Sequence, residues 1–109
     1  MQAVCTLEDV SPGIGHEVVR PGPDGDRFVA LFRVGDEVHA YLNVCPHMGR
    51  SLTFAPQEFL FDGNGRLICP HHGATFDVAS GECLEGPCKG DRLRHVAVEV
   101  RDGTVFLEQ

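Results

Sequence analysis

Apolar and polar side chains alternate along most of this chain, a pattern typical of strands that bury one face. The segments that show the alternation are 3–7, 16–20, 27–34, 37–44, 92–101 and 104–107. No segment carries the three-and-four spacing of apolar residues that predicts a helix. With glycine and proline between the segments, we expect about ten short strands and therefore an all-β sandwich or partial barrel.

Two details refine this prediction. The third strand carries a continuous apolar run over residues 28–32, which favours burial on both of its faces. Glycine-containing turns follow at Gly35-Asp36, at 62–65 and at 79–81, and each separates two segments that can pair as a hairpin.

Two short turns contain the residues with the most distinctive chemistry. They read Cys45-Pro46-His47-Met48-Gly49 and Cys69-Pro70-His71-His72-Gly73, and each follows a predicted strand. If the two turns face each other, they offer two sulfurs and two nitrogens, from Cys45, His47, Cys69 and His72. Tetrahedral zinc and iron–sulfur clusters can both use such a ligand set.

The spacing Cys-x-His, 21 intervening residues, Cys-x-x-His resembles that of Rieske proteins. In these proteins two cysteines bind one iron of a [2Fe–2S] cluster and two histidines bind the other. The second turn continues through Ala74, Phe76 and Asp77, then Ser80-Gly81-Glu82 and Gly86-Pro87, which is similar to a Rieske-type ferredoxin. The resemblance covers residues 39–107 and implies that Cys45 and Cys69 bind one iron, and His47 and His72 the other.

The resemblance also implies an architecture. We expect one Rieske-like domain over residues 1–109, an antiparallel β-sandwich or partial barrel. A small cluster-binding subdomain, about 44–78, would be mounted on a base formed by residues of about 1–43 and 79–109.

High-potential Rieske proteins have a serine after the glycine of the second turn and a tyrosine two residues later. Here Ala74 and Phe76 stand at those positions, and neither side chain can donate a hydrogen bond. The same proteins join their two turns by a disulfide, at positions that here hold Arg50 and His71. The resemblance therefore implies a low-potential cluster without that disulfide, because donors near the sulfurs stabilise the reduced form.

One departure concerns the segment between the ligand pairs. It is longer than in the ferredoxins that serve aromatic-ring dioxygenases, and the extra residues fall near 54–62. We expect this insertion to change the face beside the cluster, so the identity of the partner does not follow from those ferredoxins.

Charge and length exclude some classes of function. The formal net charge is −7 with a single lysine, which argues against nucleic acid, since its binding depends on clustered basic residues. An acidic surface suits a partner with a basic patch, or serves solubility alone. No apolar run approaches the ~20 residues that span a bilayer, and the N-terminus lacks a signal-peptide pattern. We therefore expect a cytoplasmic protein without a membrane anchor.

Five cysteines cannot all pair, and unpaired thiols suit a reducing compartment. Cys5 and Cys83 lie in apolar contexts and are predicted core residues. Cys88 either approaches the cluster or, as we favour, only packs. His71 adjoins His72, but the family spacing selects His72, and the remaining histidines, His16, His39 and His95, are predicted surface or interface side chains.

The leading functional hypothesis is a ferredoxin that takes single electrons from a flavin-dependent reductase and passes them to a terminal oxygenase. The chain has no dinucleotide-binding fingerprint and no evident second metal site, so we expect an electron carrier and not an enzyme. One alternative is the electron-transfer small subunit of a reductase complex. Another is a structural or regulatory Cys₂His₂ zinc module, which would be colourless where a Rieske protein is brown.

Overall fold

The computed structural model describes residues 1–46, 49–71 and 73–108. These residues contain no α-helix, and a single 3₁₀ turn, Leu7–Asp9, follows the first strand. The strands are β1 (Gln2–Thr6), β2 (His16–Gly22), β3 (Gly25–Val34), β4 (Glu37–Leu42), β5 (Thr53–Ala55), β6 (Glu58–Phe61), β7 (Leu67–Ile68), β8 (Thr75–Phe76), β9 (Cys83–Glu85), β10 (Val98–Arg101) and β11 (Thr104–Leu107). All their pairings are antiparallel, which confirms the predicted all-β class.

Two three-stranded sheets are formed by strands from the N-terminal and C-terminal parts of the chain. The first has the order β1-β11-β10 and the second the order β2-β3-β4. The Gly35-Asp36 turn joins β3 to β4, as predicted. Strand β2 continues past the predicted end at Arg20, because Pro21 still pairs with Asp26. Residues 21–26, which are rich in proline and glycine, form the tip of the β2–β3 hairpin.

Strand β3 lies between two separate cores. Val29 and Leu31 pack into one core with Val105 and Leu107 of β11. Ala30 and Phe32 point to the opposite face and belong to a second core, which also holds the cysteines of both ligand turns. The prediction that this strand is buried on both faces is confirmed for 29–32, whereas Phe28 remains half-exposed. The strand therefore contributes side chains to both cores, one of which also holds Cys45 and Cys69.

A five-stranded sheet of order β5-β6-β7-β8-β9 carries the second ligand turn. Residues 69–74 of that turn connect β7 to β8, and residues 43–52, which include the first turn, lead from β4 to β5. The insertion near 54–62 forms the β5–β6 hairpin. Both cysteines thus follow directly from, or close to, a strand.

The predicted strand at 92–101 is wrong in its first half, since only β10 is regular. Leu93 donates its backbone N–H to the Gly81 carbonyl at 2.7 Å, whereas the Arg94 carbonyl accepts from the Leu42 N–H at 2.9 Å. Consecutive backbone groups therefore bond to two different neighbours. Apolar alternation records which side chains are buried, but it does not record that the pairing partner changes.

Tyr41 joins β4 to the β8–β9 hairpin. Its ring is fully buried, and its hydroxyl donates to the Val78 carbonyl at 2.7 Å. Burial, reinforced by the nearby Asp77 carboxylate, raises the pKa of Tyr41 to about 12, so the hydroxyl remains a donor at neutral pH. In the part of the chain that the structure describes, no helix is long and apolar enough to cross a membrane.

Candidate metal centre

The first ligand turn is closed by two backbone hydrogen bonds around Cys45. The Cys45 N–H donates to the Arg50 carbonyl at 2.7 Å, and the Gly49 N–H donates to the Cys45 carbonyl at 2.8 Å. The cysteine is therefore fixed through both its backbone groups. Strand β5 begins only three residues after Arg50, so a strand also follows the turn closely.

The second turn repeats this pattern. The Cys69 N–H donates to the Ala74 carbonyl at 2.7 Å, and the Gly73 N–H donates to the Cys69 carbonyl at 3.0 Å. The donors and acceptors stand at the same offsets from the cysteine as in the first turn. The similarity of the two sequences thus corresponds to the same pair of closing hydrogen bonds in each turn.

A glycine is required at the fourth position after each cysteine. Gly49 has φ of 67° and Gly73 has φ of 73°, the left-handed region in which other residues are strained by about 1–2 kcal/mol. A Cβ atom at either position would meet no atom of the described residues within 4 Å. The requirement is therefore conformational and not one of space.

The two cysteines lie in one core. Cys45 and Cys69 are each 1% exposed and belong to the same cluster of buried side chains, with Leu52, Phe59 and Leu67 among its members. Neither turn contains an aspartate or glutamate between residues 45 and 50 or 69 and 74. Two buried thiols and no carboxylate are a donor set that favours a soft metal or an iron–sulfur cluster over a hard cation.

The two predicted histidine ligands lie outside the described residues, as does Met48. Among the residues that are described, no group of three or more histidine, cysteine, aspartate or glutamate side chains could hold a metal ion. Of the predicted ligands, the structure describes Cys45 and Cys69, and both belong to the same core cluster. His71 is exposed.

Apolar side chains occupy the two positions beside the second turn where hydrogen-bond donors would raise the reduction potential. Ala74 is 1% exposed and Phe76 is fully buried. Between them, the Thr75 hydroxyl is buried without a hydrogen-bond partner in the described part of the chain. The sequence prediction did not single out Thr75, because a threonine is an ordinary residue for a strand.

A buried asparagine supports both ends of the first turn. Asn43 lies two residues before Cys45, and its Oδ1 accepts from the Leu52 N–H at 2.7 Å on the other side of the turn. Its Nδ2 donates to the Glu17 carboxylate and, at 3.3 Å, to the Thr53 hydroxyl. Asn43 thereby connects the entry of the turn to its exit and to β2. The sequence analysis missed it, although an asparagine among the apolar residues at the end of β4 was a usable signal.

The inserted hairpin contributes to the same support. The Gln57 side chain accepts from the Glu17 N–H at 2.7 Å and donates to the Glu17 carbonyl at 2.6 Å. A side-chain amide thus takes the place of a strand neighbour at the edge of β2. The β5–β6 hairpin, where the ligand spacing predicts an insertion, is therefore hydrogen-bonded to β2.

The second turn is supported by a close backbone contact. Gly86, in the loop after β9, has no room for a side chain, because a Cβ atom there would lie 2.7 Å from the Ala74 Cα and 3.1 Å from its Cβ. Ala74 is the residue whose carbonyl accepts from the Cys69 N–H. The loop after β9 thus packs directly against the residue that closes the second turn.

Comparison with known proteins gives consistent matches. A model of the Rieske [2Fe–2S] domain family matches residues 1–103. The chain is 35% identical over 104 residues to ferredoxin CarAc of Metapseudomonas resinovorans. This match covers 95% of the chain and 89% of that relative. The chain is 32% identical to the 3-phenylpropionate/cinnamic acid dioxygenase ferredoxin subunit of Photorhabdus laumondii, and the match covers 95% of this chain and 90% of that relative.

A solved structure is similar over the whole chain. It is described as a complex of reduced oxygenase and oxidized ferredoxin in carbazole 1,9a-dioxygenase. One of its chains superposes with a TM-score of 0.76 and 34% identity, and the match covers 97% of this chain and 99% of that one.

Proposed function

The chain belongs to the Rieske [2Fe–2S] domain family, and on that premise we propose that it is the ferredoxin of an oxygenase system. The family resemblance and the cofactor predicted from the sequence are confirmed. Both curated relatives are ferredoxin components, and this chain matches each over almost its full length. The role is that of an electron carrier and not of an enzyme.

The observation that carries the proposal is the pair of matching turns that bury Cys45 and Cys69 in one core. We propose that these cysteines bind one iron and that His47 and His72 bind the other. When bound, the cluster supplies one reversible one-electron reduction. The backbone hydrogen bonds of the turns hold the sulfurs in place, so the ligands need little rearrangement when the charge changes.

The proposed potential is low within the range of roughly −150 to +300 mV for such clusters. Ala74 and Phe76 are buried and have no donor to offer, so the reduced form receives less stabilisation. Arg50 and His71 are exposed and stand where the high-potential proteins have their disulfide. Packing and backbone hydrogen bonds take over the support of the turns.

We propose a flavin-dependent reductase as the electron donor and a terminal oxygenase as the acceptor. The solved complex named above contains an oxygenase together with a ferredoxin, which supports the second partner. The net charge of −7 suits a basic docking face on either one. Pro46 is exposed and Pro70 half-buried, and they form the described part of the rim through which the electron would leave.

The cluster-binding subdomain is proposed to comprise residues of about 44–78, on a base of about 1–43 and 79–109. A cytoplasmic location is part of the same proposal. Its support is that Cys5, Cys69, Cys83 and Cys88 form no disulfide, as is usual in a reducing compartment.

Two measurements on the purified protein test this function. Anaerobic titration with dithionite should take up one electron per chain reversibly in a brown protein. The reduced protein, mixed with an oxidised terminal oxygenase from a dioxygenase system, should then return to its oxidised spectrum as the oxygenase is reduced. Cys69→Ala should abolish both results, whereas Cys5→Ala, which changes a cysteine in the other core, should preserve them.

Three other results would contradict the proposal. A colourless protein that contains zinc would favour the zinc module, and a cluster that accepts no electron would exclude the carrier role. Co-purification with a large catalytic chain, without transfer to any oxygenase, would favour the reductase subunit.

A further inference from the structure

Cys83 and Cys88 bring two thiols together outside the predicted ligand set. The Cys88 Sγ donates to the Cys83 Sγ at 2.9 Å, and both residues are 2% exposed. The sequence analysis predicted a packing role for both. Two cysteines that served only as small apolar side chains would have no need to place their sulfurs in direct contact.

The backbone holds the pair in this arrangement. The Cys83 N–H donates to the Asp91 carbonyl at 2.9 Å, and the Asp91 N–H donates to the Cys88 carbonyl at 2.8 Å. The backbone of Asp91 thus forms a hydrogen bond with each cysteine. A disulfide has about 2.05 Å between its sulfurs, so the two sulfurs, at 2.9 Å, already lie close to bonding distance.

The two thiols differ in their chemistry. Burial, reinforced by the hydrogen bond and the charge of Cys83, raises the pKa of Cys88 to about 12. Cys88 therefore keeps its proton at neutral pH and donates it to the Cys83 sulfur. The Cys83 Sγ in turn donates to the Glu85 carbonyl at 3.3 Å. Because the Cys88 thiol holds its proton, we assign Cys83 as the nucleophile of the pair and Cys88 as the second thiol.

We propose that Cys83 and Cys88 are a redox-active dithiol that closes to a disulfide when the protein meets hydrogen peroxide. The Cys83 sulfur attacks one peroxide oxygen, the O–O bond breaks, and one water leaves, which gives a sulfenic acid at Cys83. The Cys88 sulfur then attacks the Cys83 sulfur, the S–O bond breaks and a second water leaves. In total, two electrons and two protons pass from the thiols to one peroxide molecule.

The position of the pair connects it to the metal site. Gly86 lies between the two cysteines in sequence, and its backbone packs against Ala74, whose carbonyl accepts from the Cys69 N–H. Cys83 and Cys88 also share a core with Cys45 and Cys69. A disulfide would hold the loop around Gly86 against the second turn. The oxidised pair should therefore slow the loss of the cluster during exposure to peroxide.

The test uses the cluster-containing protein, prepared without oxygen and then exposed to hydrogen peroxide. Samples are quenched in acid with an alkylating agent, digested and mapped by mass spectrometry, while visible absorption follows the cluster. We expect Cys83 and Cys88 to lose their alkylation together, with a linked peptide that lacks two hydrogen atoms, before the absorption falls. Continued alkylation of both residues while the cluster bleaches would overturn the proposal, as would linkage of either to Cys5.

Variants test the order of attack and the protective effect. Cys88→Ala should leave Cys83 oxidised to its sulfenic or sulfinic acid, whereas Cys83→Ala should leave Cys88 alkylatable. Both variants should lose the cluster faster than the wild type in peroxide, and Cys5→Ala should match the wild type. Oxidation of Cys88 in the absence of Cys83, or equal rates of bleaching in all four proteins, would overturn the assignment. None of these results depends on which oxygenase the protein serves.

Discussion

Replacement of Gly86 by alanine tests whether the loop after β9 supports the second ligand turn. Gly90 in the same loop provides a matched control, because both glycines have positive φ, 103° and 98°. An added Cβ would lie 2.7 Å from the Ala74 Cα at position 86, but at position 90 it would meet no atom within 4 Å in the part of the chain that the structure describes. The two variants therefore share the conformational strain and differ in the clash.

The expected size of the difference follows from this contact. The backbone strain of about 1–3 kcal/mol is common to both variants. The clash in Gly86→Ala adds the cost of overpacking, about 1–3 kcal/mol, because the atom it meets belongs to the backbone and cannot rotate away. For a domain of this size, each kcal/mol corresponds to about 4–8 °C in Tm.

The assay compares the apparent Tm, the iron content and the visible absorption of the two variants at one scan rate. Displacement of Ala74 would weaken the bond between its carbonyl and the Cys69 N–H, which is 2.7 Å long. We therefore expect Gly86→Ala to have the lower Tm and to contain less iron per chain. Equal Tm and equal iron content in the two variants would refute the argument that this contact supports the site.

Three further predictions concern the potential, the first turn and the approach to the second turn. Phe76→Tyr should raise the midpoint potential of the cluster by about 60–130 mV, because one hydrogen bond to a charged group stabilises the reduced form by that amount. An unchanged midpoint potential in a redox titration would show that the missing donor is not the cause of a low potential. Asn43→Ala should reduce the free energy of unfolding, measured in urea, by about 1–3 kcal/mol, because the buried Leu52 N–H loses its acceptor. Ser51→Ala, which removes an exposed hydroxyl, should change this free energy little. Equal losses in the two variants would contradict the role given to Asn43. The backbone N–H groups of Arg66 and Asn64 lower the pKa of Asp62, so its carboxylate stabilises the fold above the ordinary aspartate pKa of about 3.9 and loses this effect as the pH falls through the lowered value. Asp62→Asn should therefore be less stable than the wild type at neutral pH and equal to it in strong acid, and a difference that persists in acid would rule out this explanation.

The local features of the fold were accessible from the sequence. Alternation identified the strands that bury one face, and Gly35-Asp36 marked its hairpin correctly. The positive φ of Gly49 and Gly73 explains why both cysteine turns carry a glycine at the same offset. These features depend on interactions over a few residues, which a sequence pattern records directly.

The features that escaped prediction depend on contacts between distant segments. Glu17 and Gln57 are 40 residues apart and bond through backbone and side chain, which no local pattern indicates. Likewise, the fit of Gly86 against Ala74 depends on the pairing of β8 with β9, which brings the two segments together. The segment before β10 was predicted as a strand because burial alternates there, while its hydrogen bonds go to two partners.

We propose that two cysteines and two histidines hold an iron–sulfur cluster in which only one iron has nitrogen ligands. Pulsed electron paramagnetic resonance of the reduced protein, with its histidines labelled in ¹⁵N, reports these nitrogens. We expect strong coupling to a pair of histidine nitrogens, unchanged in His71→Ala and lost together with the cluster in His47→Ala and His72→Ala. A reduced cluster without nitrogen coupling, or coupling that disappears only in His71→Ala, would contradict it.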